Sequence, residues 1–257
     1  MDLGTTTLGR TDLIVTTAGL GCGGHSRLGT RYGKDFDHAV GIVRAAIDIG
    51  INFIDTATGY QTEPHVAQAI QDIDRADVVI SSKSGVRTRE GRLSAEQFEQ
   101  RLEASLERLG TDYVDLYHLH GLDVEDYDYA ATEIMPVLDR AIHRGQVRFA
   151  AVSEAFALDP NHTMLKRALQ DDFFDVMMVG FNLLNPSARQ SVLPATKAKG
   201  IGTLGMFAVR QALTRSEVLH RTIQELIASG RLDTSIFEEL DLDPSEPLAF
   251  IGTPEEI

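Results

Sequence analysis

Four residues of unlike chemistry stand at the ends of short apolar runs. Asp55 lies in "INFIDTATGY" (51–60) with Tyr60 five residues on, Lys83 closes "VVISSKS" (78–84), and His120 closes "YVDLYHLH" (113–120). Singly, each has a structural reading: a turn cap, a half-buried loop aromatic, a snorkelling lysine and a satisfied core histidine. Together, on three consecutive strands that end at one mouth, they make a coherent set. A free phenol titrates near 10; an ammonium beside it lowers that value, and a carboxylate paired with the ammonium fixes its position. A histidine next to the phenol orients a carbonyl oxygen or relays its proton. His118 shares a strand face with His120 by the period of two, and the later residue lies nearer the mouth. The set suits protonation of a carbonyl oxygen while hydride reaches its carbon. No side chain donates hydride, so this chemistry requires a nicotinamide cofactor.

Positioning these groups calls for a fold that ends consecutive strands at one face. β-Branched runs at 17–23, 51–57, 78–84, 113–120, 147–153, 176–183 and 201–208 alternate with segments of helical periodicity, the order of βαβ units around a parallel sheet. "GLGCGG" contains G-x-G but does not open a helix, so no dinucleotide fingerprint follows the first run. The expectation is an α/β chain folded as a (β/α)8 TIM barrel, one domain over 1–257, with active-site groups at the C-terminal strand ends. "TTLGRTDLIVT" (6–16) reads as an N-terminal β-hairpin turning at "RTD". In "LSAEQFEQRLEASLERLG", Ser94 and Gln97 form a capping box, and Gly110 suits the position just past the helix end. Pro136 belongs in a first helical turn, which puts that helix start near residue 134. "LAFIG" (248–252) would be a short eighth strand and "TPEEI" the first turn of an unfinished helix, leaving 231–257 irregular and the last β/α unit incomplete.

Charge and composition narrow the partners. Lys and Arg number 24 against 38 Asp and Glu, for a net charge of -14, and no basic run interrupts them. Nucleic acid and anionic membranes are therefore poor partners. "MDLGTTTLGR" lacks signal-peptide layout and no stretch approaches ~18 apolar residues, so a cytoplasmic, soluble protein is expected. Cys22, the single cysteine, excludes an internal disulfide and reads as a small buried filler among glycines. His118 and His120 have no third metal ligand at suitable spacing, and His25 is isolated.

The motifs "FIDTATGYQTEPHVAQAI", "VISSKSG", "LSAEQFEQRLEASLERLGTDYVDLYHLHG", "GQVRFAAVSEAF" and "KGIGTLGM", with "LGRTDLIV" before them, resemble the aldo/keto reductase superfamily over roughly residues 6 to 210. The resemblance implies a barrel that reduces aldehydes, ketones or sugar carbonyls with NADPH, NAD(H) being the alternative cofactor. It also implies a tetrad at Asp55, Tyr60, Lys83 and His120, with Tyr60 as general acid/base and Asp55 also near the cofactor. For the nicotinamide it implies contacts at Ser153, Glu154, Met178 and Met206. Three of these depart from the family's habit: Glu154 stands in place of Asn, Met178 in place of Gln, and Met206 in place of a stacking aromatic. Arg210 reads either as a pyrophosphate contact or as a solvated loop arginine. The family's adenosine-phosphate contacts lie around the eighth unit, where "GTPEEI" ends the chain. The alternative function is thus a shortened relative with weak or no cofactor binding, acting as a binding or regulatory subunit or an inactive product. The partner expected is a small carbonyl or alcohol substrate.

Overall fold

The computed structural model describes residues 3–182, 185–208 and 215–235. The chain divides into two compact units, residues 1–181 with 185–206, and residues 182–184 with 207–257. In the first unit the elements run β1 (Thr5–Thr7), β2 (Ile14–Thr16), β3 (Leu20–Gly21), α1 (Phe36–Asp48), β4 (Phe53–Asp55), α2 (Glu63–Ile70), β5 (Val79–Ser84), β6 (Arg87–Thr88), β7 (Gly91–Arg92), α3 (Ala95–Leu109) and β8 (Val114–Leu122). They continue as α4 (Val124–Tyr129), α5 (Met135–His143), β9 (Val147–Glu154), α6 (Thr163–Ala168), β10 (Val176–Gly180), α7 (Ala188–Ser191), α8 (Leu193–Ala198) and β11 (Gly202–Met206). In the second unit the described residues form one helix, α9 (Ser216–Ala228). Arg210 and the expected eighth strand at 248–252 lie outside the described residues.

β3, β4, β5, β8, β9, β10 and β11 pair in chain order as a seven-stranded sheet, parallel throughout. This is the strand order of a (β/α)8 barrel, as the sequence leads one to expect, and the N-terminal hairpin shows that it curls. β1 and β2 pair antiparallel, and Thr16 donates its backbone N–H to Asn52 Oδ1 just ahead of β4 at 2.8 Å. At the hairpin's other end Arg10 N donates to Gly200 O just ahead of β11 at 2.6 Å. So small a hairpin reaches both places only because the sheet bends around it. Gly9 permits the contact: its φ is +59°, and a Cβ there would lie 2.1 Å from Gly202 N.

The period of two sorts each strand into an inner and an outer face. Inner residues Phe53, Val79, Leu116, Ala151 and Val176 pack with Leu8, Leu13 and Val15 of the hairpin, a dry plug at the N-terminal end. Outer residues Ile54, Ile80, Tyr117, Val152 and Met177 pack in the larger cluster beneath the helices. Farther along the same inner faces come Asp55, Lys83, His118, His120 and Ser153. The plug thus leaves the polar inner positions to the C-terminal half of the strands.

α3 has the expected ends, with both bonds of the Ser94–Gln97 capping box and Gly110 left-handed at φ 62°. The expected helix start near 134 is corrected. Helical backbone begins at Val124 and passes through a π-turn at Ala130–Ile134 into α5. The wider turn lets the helix continue into Pro136, which has no N–H to donate and would otherwise end it. Within α4, Asp126 is buried and accepts from Arg87 and Arg92. Cys22 is fully buried in the core, and burial pushes its thiol pKa upward, as its reading as an inert filler requires.

Candidate active site

Three strand ends and one loop bring the four predicted residues together. Lys83, 1% exposed near the end of β5, places Nζ 2.6 Å from Asp55 Oδ2 on β4 and donates also to Thr56 O at 2.7 Å. Ser81, one inward position earlier on β5, donates to Asp55 Oδ1 at 2.8 Å, so the carboxylate is fixed from two sides. Tyr60 ends a single 3₁₀ turn, Thr58–Tyr60. That turn is tied down by Thr56–Thr62 and Thr58–Ser105 hydroxyl bonds of 2.8 and 3.0 Å. Tyr60 Oη lies 3.3 Å from His120 Nε2, the two rings edge to face with centroids 5.4 Å apart. His120 owes its place to an irregularity: β8 slips register between Leu119 and Leu122, and Gly121 is left-handed at φ 58°. Such a bulge re-aims a side chain at a strand end.

The electrostatics correct one expectation. Lys83 Nζ sits 5.1 Å from the centroid of the Tyr60 ring, over its face, and its ion pair with Asp55 already offsets its charge. Burial first, and then the Asp55 carboxylate, raise the phenol above its ordinary value, where the sequence led us to expect a lowered one. Tyr60 is thus a neutral phenol with its proton in place at pH 7. Burial, aided by Lys83, lowers His120 to about 4, so its imidazole is neutral too. His118, fully buried one layer below and paired in register with Lys83, is held neutral by the same two causes.

Gly23 decides where the phenol sits. A Cβ at this residue would lie 2.4 Å from Tyr60 Cε2, with ring atoms as its three nearest neighbours. Gly23→Ala is expected to displace the ring and cut turnover about 100-fold with the Tyr60 hydroxyl chemically intact. Steady-state kinetics check this, with an unchanged circular dichroism spectrum as the control for folding.

Of the predicted nicotinamide contacts, Ser153, Met178 and Met206 share the inner face, and Glu154 lies on the outer one. Ser153, buried at the end of β9, accepts from Gly121 N at 2.8 Å, and its own proton has no acceptor among the described residues. It can therefore donate to a carboxamide oxygen. Met178 is its register partner on β10, and Met206 ends β11 beside Gly180. Glu154 is different: its carboxylate is spent on His162 Nδ1 at 2.8 Å and on Gly180 N–H at 2.7 Å. His162 and its partner Ser187 did not figure among the site residues predicted from sequence. Eight and twenty-five residues separate the successive members, with no periodicity to link them. The donor set fits a nicotinamide through Ser153, with Glu154 serving the wall behind it.

No helix among the described residues is long and apolar enough to cross a membrane. The chain is 32% identical over 204 residues to the L-galactose dehydrogenase of Arabidopsis thaliana, covering 77% of this chain and 62% of that protein. With the NADH-specific methylglyoxal reductase of Escherichia coli it shares 30% over 216 residues, covering 76% and 64%. The chain thus spans somewhat under two thirds of the length of these relatives. The aldo-keto reductase AKR11C1 from Bacillus halodurans, in its holo form, superposes with a TM-score of 0.66 at 27% identity, covering 79% of this chain and 65% of that one. The family model described as "Aldo/keto reductase family" matches residues 20–229, from β3 into α9. A parallel sheet in chain order, with acid, phenol, ammonium and imidazole gathered at the strand ends, is what such a match leads one to look for, and the chain belongs to the aldo/keto reductase family of oxidoreductases.

Proposed function

We propose that this chain reduces an aldehyde, ketone or sugar carbonyl with a nicotinamide dinucleotide, and that Tyr60 is the proton donor. The carrying observation is the 3.3 Å contact of Tyr60 Oη with His120 Nε2 beside the Lys83–Asp55 pair. When bound, the reduced nicotinamide supplies hydride to the carbonyl carbon. The residues of the chain supply the proton. Tyr60 Oη donates to the carbonyl oxygen, and neutral His120 holds that oxygen through Nε2–H. As the phenol gives up its proton, the Lys83 ammonium over the ring stabilises the phenolate charge, and Asp55 keeps the ammonium there. Ser153 donates to the carboxamide, Met178 and Met206 form apolar walls of the nicotinamide pocket, and Glu154 braces the end of β9.

The resemblance in sequence implies NADPH, while the E. coli relative is named for NADH, so both are tested. The chain has no Trp, and nicotinamide fluorescence reports binding without interference. Saturation at micromolar concentration by either cofactor is expected, followed by oxidation of that cofactor with a panel including a 2-oxoaldehyde and an aldohexose. Failure of both cofactors to bind would overturn the reading.

The pH profile has a defined shape. Below pH about 4 His120 gains a charge, and the ring that must donate to a carbonyl beside Tyr60 meets Lys83 as a second cation, so kcat/KM falls. Raising pH removes the proton that Tyr60 must give, but only above the ordinary phenol range, because its value is raised. The expected profile for reduction is level from about pH 5 to at least about pH 9. A fall centred near pH 7 would mean that a different group carries the proton.

A further inference from the structure

Behind the end of β9 lies a second constellation that carbonyl reduction does not use. His162 is fully buried, with Nδ1 2.8 Å from Glu154 Oε2 and 3.0 Å from Oε1, and Nε2 2.8 Å from Ser187 Oγ. Gly180 N–H also donates to Glu154 Oε1. Ser187 itself is exposed, at the start of α7. His162 holds a left-handed backbone at φ 58°, uncommon for a residue with a side chain. Its ring stacks on Phe156 with centroids 5.5 Å apart and an interplanar angle of 21°. A strained backbone persists where its surroundings over-determine it, and here they fix an imidazole between a buried carboxylate and the hydroxyl of an exposed serine.

We propose that Ser187 is a nucleophilic modification site, activated by His162 and Glu154, that takes acyl or phosphonyl electrophiles. Nδ1–H donates to the Glu154 carboxylate, which leaves the Nε2 lone pair facing Ser187 Oγ–H. As the serine oxygen bonds to the electrophilic carbon or phosphorus, its proton passes to Nε2. The bond to the leaving group breaks, and that group departs with its electron pair, while the proton stays on the imidazole, paired with the Glu154 carboxylate. No oxidant or reductant is needed. Deacylation would require water at Nε2, and the buried imidazole has no exposure to admit it, so the product is a stoichiometric acyl- or phosphonyl-serine.

The chain contains its own control. Ser191, four residues on, donates to the backbone carbonyl of Ser187 and has no imidazole partner among the described residues. Tryptic cleavage after Arg189 places the two serines on separate peptides. Incubating the full chain with a fluorophosphonate and following both peptides by mass spectrometry is expected to give an adduct at Ser187 at least ~100-fold faster than at Ser191, the usual reach of a positioned base. His162→Gln should bring Ser187 down to the rate of Ser191, and Tyr60→Phe should leave it unchanged, which separates this site from the reductase reading. Equal rates at the two serines in the unaltered chain, or no adduct at Ser187, would overturn the proposal whether or not His162→Gln folds.

Discussion

Tyr60→Phe is expected to lower turnover of carbonyl reduction by ~10²–10⁴-fold, the range of a positioned acid, while leaving nicotinamide affinity within about twofold. Loss in kcat without loss of cofactor binding is the signature of a group that acts in the transition state. Removing the hydroxyl deletes one partner of a 3.3 Å contact with His120 and leaves a ring of nearly the same shape in the slot that Gly23 keeps open. Folding should therefore be unaffected. The measurement is single-turnover oxidation of the reduced cofactor beside its fluorescence titration. Activity within about tenfold of the unaltered chain would remove Tyr60 from the proton path.

The second large effect concerns stability. Lys83→Met leaves the Asp55 carboxylate with Ser81 as its remaining side-chain partner among the described residues, and Asp55→Asn leaves a nearly inaccessible ammonium without its counter-charge. Each is expected to cost roughly 3 kcal/mol, the lower end for breaking a buried pair because Asp55 retains 15% exposure. The double variant should lie within about 1 kcal/mol of the unaltered chain, since exchanging both ions for neutral groups removes the uncompensated charge. Urea unfolding followed by circular dichroism measures the cycle. Additive single costs would mean that the two ions do not act as a unit. Turnover should remain low in all three variants, because none keeps the ammonium seated over the Tyr60 ring.

Much of this was legible in the sequence for a physical reason. A parallel barrel strand carries its chemistry at its C-terminal end, so Asp55, Lys83 and His120 could be assigned to one mouth from strand order alone, and Tyr60 from the loop that follows Asp55. Capping at Ser94 and Gly110 was legible because a cap depends on neighbours three or four residues away. The helix that begins at Val124 was not, because Pro136 is locally a start signal and only the π-turn makes it an interior residue.

The sequence by itself determined the order of the seven sheet strands and the identity of the groups at their ends. These follow from local periodicity and covalent order. Tertiary structure alone decided how those groups are tuned and which others they meet. The phenol is raised rather than lowered because burial and the Asp55 charge together outweigh an ammonium already paired. Glu154, His162 and Ser187 come from the end of β9, the approach to α6 and the start of α7. Desolvation and long-range juxtaposition depend on what the rest of the chain packs around a residue, which no spacing along the sequence encodes.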